Sequence, residues 1–539
     1  MPWINPLHEQ LVQAGKTPYL NPDVDVKFIP APTGGWDAIS PLAMMDPQYA
    51  IILDNVVARP GWIEPRGGSS LWAPEISSQP VNSLMAYRPV SGVEQLFAAT
   101  ADNIFDVSNV SAPTLVVSGK GSDKWQYINF TPAGGDNYLA MVNGIDPYLT
   151  YDGSTWTEQA ITGVPSGDLV NILSYKRRIW FLQNNSTDAW YLSTDAIAGG
   201  ASVFRLGSFM TQGGYLLAMG TWTLDGGQGP DDYLVFITSK GQAIVYTGVN
   251  PASDFVLKGV FDLPLPIGRR CLTKVGSDLY LITIQGLLPI SQALPYNPSG
   301  VRSVALTNRI QNQMLMAAQN GYQYFGWQTI SFPGQSLILM NVPIAEGVEQ
   351  HQYVMNPMNG SWSRFTGWNA SSMEIFNNSL YYGTNDGNVA LAYCGSQDLG
   401  AQIEVDIKCA FNYLDQPGRV KNMSMLRPYF SVDVPITIQL GVDVDFADNA
   451  PTFPVNIIIP TGTSLWDVAL WDEGIWSDAK QVIINWLSVQ ALGTAMAVRL
   501  KITLGNEEPD EIVYSASGSG VPTIQINVFE ALEQAGGPI

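Results

Sequence analysis

The chain has 539 residues, of which 46% are hydrophobic and 14% charged, enough apolar material for a large core and too much for a disordered chain. Lys and Arg number 26 against 47 Asp and Glu, and the formal net charge of −21 repels nucleic-acid phosphates and anionic lipid, which excludes a conventional sequence-specific DNA binder. Cys271, Cys394 and Cys409 are too few and too scattered for a disulfide framework or a zinc knuckle, and they read as reduced, buried thiols.

Residues 1–49 are rich in Pro and polar side chains and read as an N-terminal arm, without the cationic start and apolar core of a secretory leader. From 50 to 397 the chain repeats. QLFAATADNIFDVS, YLAMVNGIDPYLTYDG, RIWFLQNNSTDAWYLS, YLVFITSKGQAIVYTG, LYLITIQGLLPIS, SLILMNVPIAEGVEQHQYVMN and LYYGTNDGNVALAY are each two β-rich runs around a turn of Gly, Asn or Asp. Their starts recur roughly every 40–57 residues, the spacing of four-stranded propeller blades. This predicts an all-β fold, a β-propeller of six or seven blades over 50–397. Ile310, Met314 and Ala317 at i, i+4, i+7 predict a helix inserted between blades at about 304–319. Residues 398–517 stop repeating and alternate apolar with polar residues, predicting a separate antiparallel β-domain; 518–539 reads as a C-terminal arm. No apolar run is long enough to span a membrane, so no stable membrane insertion is expected.

Few residues offer chemistry. Asp225, Asp231 and Asp232 crowd a glycine-rich stretch, but lack the alternating oxygen ligands and closing glutamate of a calcium loop, which favours a turn. Asp443, Asp445 and Asp448 come nearer that pattern and still lack its glycine and glutamate, so a solvated loop is favoured. His8 and His351 are the only histidines, and no G-x-S-x-G elbow accompanies them. YDGSTW (151–156) and NGSW (359–362) are shorter than the Asp-box turn of sialidase blades. No catalytic residue, cofactor or metal is therefore expected. Lys176, Arg177, Arg178, Arg269 and Arg270 are the basic clusters. They suit contacts with DNA or a neighbouring subunit, against the favoured reading of solvated blade edges that resist edge pairing. Trp466, Trp471 and Trp476 recur every five residues, a period that fits neither a strand face nor a helix face. A partner-facing loop and local packing are both open for them.

Taken in order, ILDNVVARPGWIEPRGG (52–68), WQYINFTPAGGDNYLAMVNGIDPYLTYDGSTW (125–156), LSYKRRIWFLQNNSTDAWYLSTDAI (173–197), GGYLLAMGTWTLDGGQGPDDYLVFITSKGQAIVYTG (213–248) and PIGRRCLTKVGSDLYLITIQGLLPIS (266–291) resemble the tail nozzle, or packaged-DNA stabilisation, proteins of short-tailed bacteriophages. The C-terminal part is similar in character only. The resemblance implies a virion protein of the tail, assembled in the bacterial cytoplasm as a homohexameric ring below the portal and its adaptor. It would retain genomic DNA, gate its ejection and offer docking for tail fibre or needle proteins. The competing expectation is a propeller that binds or cleaves glycans, such as a host-receptor recognition protein.

Overall fold

The computed structural model describes residues 24–225, 230–297, 300–432, 436–451, 454–457, 481–483, 485–505 and 524–538. Seven antiparallel sheets follow one another between residues 69 and 392. Blades 1 to 4 have four strands each, beginning at Val81–Tyr87, Gln126–Phe130, Leu169–Tyr175 and Leu216–Asp225. Blade 5 has three, from Leu272–Val275; blade 6 begins at Gln328–Phe332 and blade 7 at Ala370–Phe376. These first strands neighbour one another in cyclic order, with Ala370–Phe376 of blade 7 against Val81–Tyr87 of blade 1, so the ring is closed. The fold is a seven-bladed β-propeller.

All seven hairpins visible in the sequence are the second and third strands of a blade. That is a burial effect, because a middle strand is covered by the blades on either side. In blade 4, Leu234, Val235, Phe236 and Ile237 all have 0% exposure although they alternate between faces. Closure uses an early strand. Ser69–Ala73 pairs antiparallel with Val389–Ala392 and becomes the fourth strand of blade 7. The turn before Val389–Ala392 requires glycine at 387, since φ is +80° and a Cβ there would lie 1.9 Å from the Ser77 carbonyl oxygen.

Between blades 5 and 6 lie two 3-10 turns and the helix Gln311–Gly321. Ile310, Met314 and Ala317 are buried there, in the same core as Trp327 and the middle strands of blade 5.

The second β-unit differs from expectation in its use of the chain ends. Instead of an arm, Val24–Pro30 is a strand that pairs antiparallel with 528–534 of the strand Ile524–Pro538. Ile524–Pro538 pairs along its other edge with Arg419–Val432 and touches the hairpin Val56–Arg59/Trp62–Pro65 through Ile526 and Ile63. A second sheet runs from Tyr49–Asp54 through Ala401–Cys409 and Met496–Leu504 to Ile436–Val444. Residues 398–505 are thus no separate domain: early and late strands interleave around Ile29, Leu53, Ile407, Phe430, Leu500 and Phe529.

Two ion pairs seat this unit on the ring. Asp54 meets Arg364 of blade 6 through two hydrogen bonds of 2.7 and 2.5 Å, where the two strands also pair. Arg66 has 0% exposure, holds Asp398 with both terminal nitrogens, and donates to Asn55 Oδ1 at 2.9 Å and the Thr366 carbonyl at 2.6 Å. Its guanidinium also stacks 4.6 Å from the Trp368 ring.

Candidate functional site

The two basic clusters have different fates. Lys176 and Arg177, with φ of 47° and 60°, form the two-residue turn between the first and second strands of blade 3. Lys176 Nζ lies 2.7 Å from Asp232 Oδ2, and Arg177 grips Asp195 at 2.9 and 2.6 Å. Arg178 donates to the Leu192 carbonyl at 3.2 Å and lies over Tyr191. The expected solvated blade edge is a hairpin turn in which Arg177 stays exposed, and the Lys176 and Arg177 charges are met by carboxylates of the same chain. Asp232 is accounted for by the same contacts: hydrogen bonding to Lys176, then to Thr223, holds its carboxyl below the usual range. The side chains of Asp225 and Asp231 lie outside the described residues, as do His8, Trp466, Trp471 and Trp476.

Arg269 and Arg270 do not form a solvated edge either. They sit in the connection entering blade 5, and their partners belong to blades across the ring. Arg270 donates to Ser83 Oγ in blade 1 at 2.7 Å and to the Trp125 carbonyl, at the start of blade 2, at 3.0 Å. Arg269 donates to Asn184 Oδ1 of blade 3 at 2.7 Å. Blades 1 and 2 stand opposite blade 5, so the Arg270 bonds cross the propeller axis, while the Arg269 bond spans blade 4. Burial, the largest influence, pushes the Arg270 guanidinium down to about 10, against the opposing field of Asp123. Phe325, in the connection entering blade 6, has Arg270 Cζ 5.0 Å and Lys124 Nζ 4.5 Å from its ring centroid. One mouth of the axial channel is therefore bridged by cations and an aromatic ring. Deeper in, burial raises the carboxyl of Glu374 in blade 7 despite Tyr127 and Arg88, and Arg88 Nη2 stands 3.5 Å from it.

At the other end of the blades, a cleft of about 670 Å³ lies between blades 1 and 2, with Glu94, Asp106, Asp136, Asp152 and Tyr87 on its walls. Hydrogen bonds from Thr155 and Ser154 hold the Asp152 carboxyl below its ordinary value. A glycosidase acid needs the opposite shift. Within NGSW, Asn359 Oδ1 likewise accepts from Ser361 N at 3.0 Å, so both short motifs are capped turns.

The acids at 443–448 depart from a solvated loop at one position. Asp443 is 2% exposed and pairs with Lys408 Nζ at 2.7 Å; Asp448 meets Lys408 and Arg499 at 3.0 and 2.5 Å. Asp445 accepts from Thr494 and Ala495. These acids thus neutralise two buried cations, Lys408 and Arg499. Among the described residues no group of three or more His, Cys, Asp or Glu is arranged to hold a metal, and no helix is long and apolar enough to cross a membrane. Cys271 and Cys409 are free and buried, with thiols pushed up to about 12 by burial. His351 lies in a blade 6 strand with Nε2 2.8 Å from Glu349 Oε1.

Sequence reasoning did not find the pairing of Arg270 with Ser83 and Trp125, because those partners lie 187 and 145 residues away. The only local signal was the Arg-Arg dipeptide in the connection entering a blade.

No family model matches the chain, and no curated protein matches it. Among solved structures it is similar to BBS1N in complex with ARL6DN, at 10% identity over 61% of this chain and 97% of that chain, with a TM-score of 0.37. It is also similar to YCF48 bound to D1 peptide, at 8% identity over 64% and 98%, with a TM-score of 0.36. A glycoside hydrolase family 43 arabinoxylan arabinofuranohydrolase from Bacillus subtilis, in complex with cellotetraose, aligns at 10% identity over 89% and 95%, with a TM-score of 0.26. Likenesses at these scores carry no argument about activity, and the ring described above rests on its own strand pairing.

Proposed function

We propose that this chain is a structural subunit of a virion tail nozzle, a homohexameric ring that extends the tail tube below the portal and adaptor, retains packaged DNA and gates its ejection. The observation that carries the reading is the use of charge. The Lys176–Arg178 cluster is bonded within its own subunit and Arg269–Arg270 turns into the propeller axis, while the whole chain keeps a net charge of −21. A wall of that kind lets a polyanion slide without the counterion release that would hold it. Because Arg270 spans the propeller axis, the duplex would run between subunits and not through a blade ring. Fibre or needle proteins would dock on the outside, and assembly would take place in the bacterial cytoplasm. The role requires no catalysis.

Particles lacking the gene test this: they are expected to package DNA, leak it and fail to infect. Native mass spectrometry with the adaptor is expected to give a six-copy ring. The acidic cleft favours a second reading, glycan recognition or cleavage on the propeller face. Knockout particles that keep their DNA and fail only at attachment to cells would establish that reading in place of the first.

A further inference from the structure

Most buried or half-buried arginines have a carboxylate at hand: Arg66 holds Asp398, Arg364 holds Asp54, Arg427 holds Glu530, and Arg499 holds Asp406. The channel mouth breaks this pattern. Lys124, Arg269 and Arg270 form no ion pair within 4.0 Å among the described residues. Their recorded partners are neutral: an amide oxygen, a hydroxyl, a backbone carbonyl and the shared Phe325 ring. Three acids reach the region and none pairs with these cations: Glu374, whose field reaches Arg270, has Arg88 Nη2 at 3.5 Å, and the other two accept from neutral donors. Asp123 Oδ2 accepts from Asn82 Nδ2 at 3.0 Å and Ala101 N at 2.9 Å, and Glu346 Oε1 accepts from Phe325 N at 3.2 Å.

We propose that the mouth of the axial channel framed by Lys124, Arg269, Arg270 and Phe325 is a binding site for a phosphate-type oxyanion. Two cations within 5.0 Å of one ring repel each other, and an anion between them relieves that repulsion. Donors arriving from separate blades suit the several oxygens of a tetrahedral anion better than the two of a planar carboxylate. The guanidinium is already stripped of much of its water by the fold, so an anion there loses little further hydration of its partner. The ligand chemistry is that of a phosphate monoester, from a free phosphate or nucleotide or from the 5′-phosphate at the end of a strand. The inference does not depend on the tail-nozzle reading.

The test is calorimetry on the full chain at low ionic strength, titrating inorganic phosphate, a mononucleoside monophosphate, and a short oligonucleotide with and without its 5′-phosphate. Saturable phosphate binding is expected, weakened by about tenfold or more in Lys124→Gln, as befits loss of one charge-assisted contact. Lys124→Arg is expected to restore it. Lys124 is exposed and bears none of the cross-axis bonds, so its variants leave the ring intact even where Arg270→Gln does not fold. Binding that favours the 5′-phosphorylated oligonucleotide over its unphosphorylated form assigns the site to strand ends; equal or better binding of free phosphate or nucleotide assigns it to a small ligand. No saturable binding up to about 10 mM phosphate, or equal affinity in wild type and Lys124→Gln, overturns the proposal.

Discussion

The propeller and the β-unit beside it use similar alternating strands but pair them over different distances along the chain. Within blades 1 to 6, partners are successive strands: Val81–Tyr87 with Gln95–Thr100, or Leu337–Ala345 with Glu349–Asn356. A single long step, Ser69–Ala73 to Val389–Ala392, closes the ring. In the second unit the long step is the rule, since Val24 faces Gln534 and Asp54 faces Asp406. Local pairing lets each blade form nearly alone and depend on its neighbours for burial. Non-local pairing makes the second unit a clasp in which each strand needs the others, and loop-closure entropy delays it until late in folding.

Five experiments sharpen or break that contrast. The largest effect is expected from deleting residues 1–30, which removes the strand Val24–Pro30 and uncovers Phe529 and Ala531. Hydrogen exchange should then show protection lost across 419–432 and 524–534 and kept in blades 1 to 4. Uniform loss, or none, would erase the distinction between the two units.

Next comes Asp398→Asn, which leaves the fully buried Arg66 without its counter-charge where ring closure meets the clasp. A loss of about 3–5 kcal/mol is expected from denaturant unfolding, with the melting of both units affected. An effect confined to one unit would mean that the junction does not couple them.

A smaller effect concerns pH. Burial lowers the His351 pKa below its usual 6.5, more than Glu349 raises it. The unfolded chain therefore binds the proton more readily, so stability is present above the pH 6.5 region and is lost as the pH falls through it. His351→Gln is expected to flatten the melting profile there; a wild-type profile that rises on acidification through this range would contradict the sign. The smallest effect belongs to Arg177→Gln, whose exposed pair with Asp195 is worth less than about 1 kcal/mol. Chelator should likewise leave the melting temperature unchanged, since Asp232 serves Lys176. A drop of several degrees, restored by calcium, would return the metal reading to this turn.

The same contrast explains what could be read from sequence. YLVFITSKGQAIVYTG and its six counterparts were legible because a middle strand is apolar on both faces and its partner follows immediately. The first strand Gln126–Phe130 and the fourth strand Thr114–Val117 are mostly half-buried or exposed and carry little pattern, unlike the first strand Val81–Tyr87, which is almost wholly buried. The blade count stayed open between six and seven because blade 7 borrows Ser69–Ala73. VDVKFIP looks like a polar arm until its partner is known, since Val26 and Phe28 are exposed while Ile29 is buried. Likewise the burial of Asp443 depends on Lys408 and Arg499, which lie in other strands. For the cation bridging the axis, the Arg269-Arg270 dipeptide marks the residue but not its partners, which meet it only when the ring is closed.

The pairing of Val24–Pro30 with 528–534 also sets a clock on biosynthesis. Roughly 500 residues separate these strands, which at about 5–20 residues per second puts some 25–100 s between the appearance of the first and the arrival of the second. Blades can assemble on the ribosome during that interval, whereas Val26 and Phe28 wait beside an unclaimed backbone edge. Every nascent chain thus carries its blade sequences before the last strand of the clasp is made, and chaperone demand should peak at that stage.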